Sequence, residues 1–295
     1  MPFLTVFTPA YNRAHTIGRT YASLCRQSCK DFIWLIVDDG SSDQTGTLVR
    51  QWQAADNGFE IRYIYKENGG MHTAHNTAYE QIDTELNVCI DSDDCLADGA
   101  VDKIRSAWEL VKGKGYAGLI GLDADFQGRL IGAGFPESIK ETTLSGYYAA
   151  GGSGDKKLVY RTDVIRHYPP YPTFPGERYV ALGYKYFLID QDYKLFVIDD
   201  VLCNVEYQAD GSSNTMWQQY LKNPQGFAFW RTVQATYPDS FTALIKTTIH
   251  YCSSRHIAKA QGRSVPPYPH KRLAALCTLP GILLSAYISH KCKKG

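Results

Sequence analysis

The sequence lacks several features that would assign it to a common class of protein. Its 295 residues carry 31 basic and 30 acidic side chains, so it has no charge excess of the kind that binds nucleic acid through its phosphates. No GxxxxGK[ST] phosphate loop occurs, and the first predicted strand is not followed by the glycine-rich loop of a dinucleotide-binding fold. Nucleic-acid binding, P-loop chemistry and dehydrogenase chemistry are therefore disfavoured.

Metal-binding cysteine pairs are also missing. The eight cysteines include no CxxC pair, and Cys25 and Cys29 are expected to be small buried thiols on one face of a helix. No signal peptide precedes the first predicted strand, so we expect the protein in the reducing cytoplasm. The cysteines are assigned no role.

Four β-type runs alternate with segments of helical spacing in the first 100 residues. Strands are predicted over Leu4–Thr8, Phe32–Val37, Ile61–Tyr65 and Leu86–Ile90, and helices over Ala14–Gln27, Thr45–Ala55, His72–Ile82 and from about Ala100. This alternation is typical of βαβ units and predicts an α/β fold with a mostly parallel sheet. Functional groups should then collect at the carboxyl ends of the strands.

A polar loop follows each of the four predicted strands. The loops are Pro9-Ala-Tyr-Asn12, Asp38-Asp-Gly-Ser-Ser-Asp43, Glu67-Asn-Gly-Gly70 and Asp91-Ser-Asp-Asp94. Four such loops on one predicted edge of a sheet favour a shared binding site over coincidence.

The loop Asp91-Ser-Asp-Asp94 carries three carboxylates in four residues. If the strand conformation continues through Asp93, Asp91 and Asp93 point to one side of the sheet, where their repulsion is relieved by a cation. An all-oxygen ligand set favours Mg²⁺ or Mn²⁺. The alternative is that these residues end a strand and cap a helix, since aspartate is favoured in both positions.

The second and third loops have plausible tasks at a nucleotide. A carboxylate of Asp38 or Asp39 would accept a hydrogen bond from the imide N–H of uracil. Gly69 and Gly70 allow the backbone to approach a phosphate just before a helix, although a simple tight turn explains them equally well. The nearby histidines, His72 and His75, are expected to be surface residues.

The ordered combination TVFTPAYNR, IVDDGSSDQT, ENGGMHTAHN and CIDSDD resembles the family 2 glycosyltransferases of the GT-A fold, over roughly the first 100 residues. The resemblance implies a UDP-sugar donor, a divalent metal, and inversion at the anomeric carbon. By this resemblance Asp39 contacts the base, Asp91 lies at the ribose and diphosphate, and Asp93 ligates the metal. The other implied donor-binding residues are Pro9, Tyr11, Asn12, Gly69, Gly70, Asn76 and Ser92. A related variant of the third loop has lysine after the two glycines, whereas Met71 stands here.

Acceptor contacts are expected in the second half of the chain. Gly152, Asp155 and Lys156 lead into a predicted strand at Leu158-Val-Tyr-Arg161. A proline-rich connection follows, before a helical pattern that begins near Tyr179.

The catalytic base is expected just before that helix. The family often has a Glu-Asp pair there, and this chain has Glu177-Arg178, so Glu177 is the implied base that takes the proton of an acceptor hydroxyl. A charge at a helix N-terminus is the alternative, and Asp190 and Asp192 are reserve candidates.

The segment Leu273–Ser289 is an almost uncharged run with basic residues on both sides. As a helix it would extend about 25 Å, short of a hydrocarbon core of about 30 Å, and Pro280 interrupts it. Residues 271–294 are therefore predicted to form an interfacial helix, or two, on the cytoplasmic membrane leaflet. A core or dimer-contact helix is the alternative.

The expected organisation is a glycosyltransferase domain over residues 1–235 and a helical segment over 236–295. Residues 1–120 form the donor half of the domain and 121–235 the acceptor half. The predicted function is metal-dependent, inverting transfer from a UDP-sugar to a saccharide hydroxyl, which is lipid-linked if the family's surface-polysaccharide role applies. A catalytically inert saccharide-binding or scaffolding module is the competing hypothesis.

Overall fold

A computed structural model of the chain describes residues 2–206 and 215–294. It confirms the predicted α/β class with a helical C-terminus. Within the described residues, nine strands join one sheet in the order β3-β2-β1-β4-β8-β6-β9-β5, with β7 paired to β9. The strands are β1 Leu4–Ala10, β2 Phe32–Asp38, β3 Glu60–Tyr65, β4 Leu86–Cys89, β5 Cys95–Leu96, β6 Gly118–Ala124, β7 Glu141–Thr142, β8 Lys156–Arg161 and β9 Leu195–Asn204.

Twelve helices lie among the described residues. They are α1 Ile17–Cys25, α2 Thr45–Gln53, α3 Met71–Gln81, α4 Ala100–Val111, α5 Leu144–Ala149, α6 Thr162–His167, α7 Gly183–Ile189, α8 Met216–Lys222, α9 Pro224–Thr236, α10 Phe241–Ala260, α11 Lys271–Leu276 and α12 Thr278–Lys294. Helices α1 to α4 follow the predicted pattern, each within a few residues of its expected bounds.

The central strands are buried along their whole length because both faces of the sheet are covered. Every residue of β1 and β2 is buried, as expected for a parallel sheet whose crossover helices pack on both sides. Strands β3, β2, β1 and β4 are parallel neighbours. Their carboxyl ends therefore lie at one edge, which is where the polar loops follow.

The antiparallel strand β8 extends this edge into the second half of the chain. It pairs antiparallel with β4 on one side and with β6 on the other. Strands β4 and β6 therefore run in the same direction, and the start of β8 lies beside their carboxyl ends. This pairing brings residues near 91, 123 and 157 to the same edge.

Two local predictions were wrong. Strand β4 ends at Cys89, and the amide of Asp94 donates to the carbonyl of Asp91 (3.0 Å) in a turn, so strand alternation does not place Asp91 and Asp93. The helix expected near Tyr179 begins at Gly183. Aspartate-rich loops and proline-rich connections carry weak periodicity, which explains both errors.

The chain divides into two compact units. The sheet unit contains residues 1–170 and 185–206, and the helical unit contains 171–184 and 207–295. Helices α8 and α9 belong to the helical unit, and the domain boundary expected at residue 235 stays a prediction.

Helix α12 in the helical unit packs through its small side chains. Gly281 lies directly against Cys252 of α10, and Ser285 and Ile288 are buried on the same side. Leu279, Leu283 and Tyr287 are 66%, 64% and 49% exposed. Over the described residues, no helix combines the length and the apolar character needed to cross a membrane.

Candidate active site

Asp39 follows β2 and fastens the third polar loop to the sheet edge. Its carboxylate is 3% exposed and accepts hydrogen bonds from the amides of Gly69 (3.0 Å) and Gly70 (2.7 Å) and from Nζ of Lys66 (2.5 Å). Gly70 has φ 95°, a conformation that glycine adopts at low cost. Since both glycine amides are engaged by Asp39, any contact of this loop with a phosphate would have to use other atoms.

Asn12 joins the first and second polar loops. It has φ 53°, unusual for a residue other than glycine. Its amide donates to Oγ of Ser41 (2.8 Å), and its side-chain oxygen accepts from the amide of Ser42 (2.8 Å). Two hydrogen bonds to one loop hold this backbone conformation, and such strain concentrates at functional sites.

The remaining implied donor-binding residues of the first and third loops have different environments. Pro9 is buried within β1, whereas the Tyr11 ring is 46% exposed just beyond that strand. An exposed ring at the carboxyl end of a strand is available to stack on a base. Asn76 lies half-buried on α3.

The turn after β4 carries the predicted diphosphate and metal residues. Ser92 is 4% exposed and Asp94 is 7% exposed, while Asp91 and Asp93 are half-buried. Burial raises the pKa of Asp91; Lys157 opposes this shift and the charge of Asp93 adds to it. Burial likewise raises the pKa of Asp94 to about 8. Burial is therefore the main cause of both raised pKa values, and neighbouring carboxylates add to it.

Lys157 and Asp123 extend this charged region along the sheet edge. Asp123 is 2% exposed near the end of β6, and its Oδ2 lies 4.0 Å from Nζ of Lys157. Burial raises the pKa of Asp123, and Lys157 opposes that shift. Burial lowers the pKa of Lys157, but the neighbouring acidic groups, with Asp123 the strongest, outweigh it and raise this pKa well above its usual value. Sequence reasoning missed both residues, because only the pairing of β8 between β4 and β6 brings them here.

A divalent cation at this edge would need most of its ligands from a bound substrate. Within residues 2–206 and 215–294, no group of three or more His, Cys, Asp or Glu side chains is arranged to hold a metal. Mg²⁺ is commonly bound through one or two carboxylates together with substrate phosphates. Asp91 and Asp93 are two carboxylates in one turn, and the charge of Asp93 adds to the rise in the pKa of Asp91 that burial causes.

The two histidines expected on the surface are buried instead. His72 is 2% and His75 is 1% exposed, and burial lowers their pKa values to about 4 and about 3. Nδ1 of His75 lies 3.2 Å from the hydroxyl of Tyr79, and Phe7 packs edge-on against the imidazole at 5.0 Å. Both histidines are therefore neutral at pH 7.

The expected acceptor-side loop is tied together by Lys156. Its Nζ donates to the carbonyls of Ser153 (2.9 Å) and Asp155 (3.2 Å), and to the carbonyl of Ile131 (3.3 Å) in a neighbouring loop. Gly152 packs against the ring of Tyr147, where a side chain has no space. Lys156 therefore has a structural task, whereas Ser153 and Asp155 are the exposed polar residues of this loop.

Glu177 lies in the helical unit at the start of α9. Its carboxylate accepts hydrogen bonds from the amides of Gln225 (2.9 Å) and Gly226 (2.8 Å) and from Nη1 of Arg263 (3.1 Å). Burial raises its pKa, against these donors. The carboxylate thus stabilises a helix N-terminus, which is the alternative role considered for Glu177. The helix is α9, however, and not the one that follows Glu177 in sequence.

The reserve carboxylates differ in availability. Asp190 accepts hydrogen bonds from the amides of Leu144 (3.3 Å) and Ser145 (2.8 Å) at the start of α5. Asp192 is exposed and accepts from the hydroxyl of Tyr168 (2.6 Å).

Residues 5–118 match the family model described as Glycosyl transferase family 2. A GalNAc(5)-diNAcBac-PP-undecaprenol beta-1,3-glucosyltransferase of Campylobacter jejuni is 26% identical over 178 residues, covering 57% of this chain and 54% of that protein. The putative teichuronic acid biosynthesis glycosyltransferase TuaG of Bacillus subtilis is 34% identical over 93 residues, covering 32% of this chain and 36% of TuaG. The chain thus spans about half, or less, of these relatives.

Solved structures share the fold over nearly the whole chain. The crystal structure of S. aureus TarS 1-349 in complex with UDP-GlcNAc has a TM-score of 0.57 at 16% identity, with 99% of this chain and 92% of that chain covered. The mannosyltransferase PcManGT from Pyrobaculum calidifontis, in complex with GDP-Man and Mn²⁺, has a TM-score of 0.55 at 15% identity, with 98% and 84% covered. At these identities the likeness concerns the fold alone.

Proposed function

We propose that this chain is a metal-dependent, inverting glycosyltransferase that uses a UDP-sugar, since residues 5–118 match the model of Glycosyl transferase family 2. The observation that carries the proposal is the row of polar groups at one sheet edge, with Asp39 after β2 and the Asp91–Asp93 turn after β4. A base-binding carboxylate and a diphosphate-binding turn on nearby parallel strands are what a nucleotide-sugar site needs.

Asp39 and Tyr11 form the base end of the proposed site. Oδ2 of Asp39 accepts one hydrogen bond, from the amide of Gly70. A carboxylate oxygen can accept two, so Oδ2 can also accept a hydrogen bond from the imide N–H of uracil. Cytosine has no such donor on the corresponding ring nitrogen. The exposed Tyr11 ring supplies a stacking surface.

Asp91 and Asp93 form the diphosphate end. In the proposed site Asp93 ligates Mg²⁺ or Mn²⁺, and the Mn²⁺ complex of PcManGT, which has the same fold, is consistent with this. A bound metal would neutralise charge on the departing diphosphate. The protein's own contribution is to hold the turn in a defined position through the Asp94 to Asp91 backbone hydrogen bond.

The proposed reaction is one direct displacement. The acceptor hydroxyl attacks C1 of the sugar as the bond from C1 to the diphosphate breaks, which inverts the configuration. Glu177 is the proposed base that receives the hydroxyl proton, and its raised pKa favours proton uptake.

The proposed acceptor is a lipid-linked saccharide of cell-surface polysaccharide assembly at the cytoplasmic face of the membrane. The named activity of the Campylobacter relative, on an undecaprenol-linked saccharide, supports this choice. The exposed apolar side chains of α12 lie between the basic residues Lys271 and Arg272 and the basic residue Lys291. Apolar and cationic groups together are typical of a helix that lies on anionic lipid.

Calorimetric titration with UDP and with GDP, with and without Mn²⁺, tests the donor site. We expect Mn²⁺-dependent binding of UDP that Asp93→Ala loses. Asp98→Ala is the matched control, because it removes a nearby carboxylate that is 76% exposed. Failure of the folded wild-type protein to bind either nucleotide would contradict the proposed function and favour an inert module.

A further inference from the structure

Within residues 2–206 and 215–294, one buried carboxylate oxygen of Asp123 has no hydrogen-bond partner. The side chain lies near the carboxyl end of β6 and is 2% exposed. Among the described residues, its Oδ1 has no hydrogen-bond partner, and its Oδ2 lies 4.0 Å from Nζ of Lys157, the outer limit of an ion pair. An unsatisfied buried acceptor is costly, and it needs an explanation wherever a native structure keeps one.

The order of the strands gives the position of Asp123 relative to the proposed donor site. Along the order β2-β1-β4-β8-β6, Asp39 follows β2, Asp91 follows β4, and Asp123 lies near the end of β6. Adjacent strands are about 4.8 Å apart, so each of these two steps crosses about 10 Å.

A nucleotide sugar is linear in the order base, ribose, diphosphate, sugar. With its base at Asp39 and its diphosphate at Asp91, the next group along the sheet edge lies towards β8 and β6. That group is the sugar to be transferred. The hydroxyl groups of a sugar are hydrogen-bond donors, which is what a carboxylate oxygen without a partner accepts.

We propose that Oδ1 of Asp123 accepts a hydrogen bond from a hydroxyl group of the donor sugar and thereby determines which sugar is used. The proposal rests on the proposed function, because it takes the nucleotide sugar as the ligand. Lys157 is a positioning residue: it faces Oδ2 and leaves Oδ1 for the ligand. The adjacent Lys156 donates to loop carbonyls instead.

Affinity for UDP and for four UDP-sugars separates this role from a purely structural one. The probes are UDP, UDP-glucose, UDP-galactose, UDP-GlcNAc and UDP-GalNAc, titrated with Mn²⁺ into the wild-type protein and into Asp123→Asn. We expect the wild-type affinities for the most tightly and the most weakly bound UDP-sugar to differ by about 10- to 100-fold, the effect of a hydrogen bond to a charged group. This ratio is the spread of the protein. In Asp123→Asn we expect this spread to fall to about threefold or less while UDP affinity stays within about twofold, since the asparagine keeps the shape but not the charge.

Two further variants make the result decisive. Asp163→Asn removes the same charge from an aspartate whose side chain is 68% exposed, and it should keep the wild-type spread. Asp123→Glu keeps the charge on a longer side chain and should alter the order of the sugars without removing the spread. UDP affinity confirms that each variant is folded.

Each contrary result has a distinct meaning. An unchanged spread in Asp123→Asn, or a wild-type protein that binds UDP but distinguishes no sugar, would overturn the assignment of Asp123 and leave the proposed function standing. A folded wild type that does not bind UDP would overturn both.

Discussion

At the scale of single residues, Glu177 combines a proposed catalytic role with an observed structural one. Its carboxylate accepts from two amides of α9 and from Arg263. One acceptor position on Oε2 remains for a substrate hydroxyl. Turnover and stability therefore have to be measured separately for any change at this position.

We predict that Glu177→Gln lowers kcat by about 100-fold or more, the usual contribution of general base catalysis, and leaves UDP affinity near that of the wild type. Activity per folded molecule, normalised by UDP titration, is the measurement. If Glu177→Gln loses stability but keeps near-normal turnover, the residue only stabilises α9. Asp192→Asn would then be tested next, since Asp192 is exposed.

The buried His75 should make the stability of the protein depend on pH in the acid range. Its pKa is about 3 in the folded protein, against an ordinary value of 6.5, so between these values the unfolded chain binds more protons. The free energy of unfolding should therefore fall as pH decreases below about 6.5, by up to about 1.4 kcal/mol per pH unit from this residue. Above pH 7 the contribution is constant.

His75→Phe isolates this contribution. It keeps an aromatic ring beside Phe7 and Tyr79 and removes the titrating group. Urea unfolding of both proteins between pH 4.5 and 7.5 should give a stability difference that changes below pH 6.5 and is flat above pH 7. A difference independent of pH would show that His75 remains protonated to the same extent in both states.

At the scale of elements, periodicity predicted strands β1 to β4 and the helices that follow them to within a few residues, and it missed the two-residue strand β5. Apolar runs such as Phe32–Asp38 are buried on both faces, so their pattern is strong. The conformation at Asp91 stayed open between two interpretations because one aspartate-rich string suits a strand end, a turn and a cap. Asp123 and Lys157 were missed because the pairing of β8 with β4 and β6 joins residues about 35 to 75 positions apart, and no local pattern reports such pairing.

We predict that helix α12 binds the membrane through its exposed apolar face. Its exposed Leu279 and Leu283 lie one turn apart on the side opposite Gly281 and Ser285. We expect the double change Leu279→Glu and Leu283→Glu to reduce flotation with vesicles of 30 mol% anionic lipid at least about 10-fold, because it removes buried apolar area and adds repulsive charge. UDP affinity should stay unchanged.

A matched control keeps the added charge and changes the position. Leu110→Glu and Leu130→Glu together add the same two negative charges in the sheet unit, at side chains that are 67% and 44% exposed. Vesicle binding by this control should equal that of the wild type. If the α12 variant floats as well as the wild type and instead changes the oligomeric state, the face is a contact between protein chains.

At the scale of the whole molecule, the two proposed ligands address different units. The residues assigned to the nucleotide lie in the sheet unit, whereas the apolar face of α12 lies in the helical unit. Hydrogen exchange followed by mass spectrometry reads both in one sample. UDP with Mn²⁺ should slow amide exchange near residues 9–12, 39–42 and 91–94, and anionic vesicles should slow it over 271–294, because amides exchange more slowly where a ligand opposes local opening.

The variants should separate these two responses. Asp93→Ala should lose the protection by UDP and keep the protection by vesicles, and the Leu279→Glu, Leu283→Glu variant should do the reverse. Loss of both responses in either variant would mean that it is unfolded or that the two sites are coupled, and the melting temperature separates these cases. A wild-type protein in which vesicles protect no part of 271–294 would refute the proposed membrane contact while leaving the donor site intact.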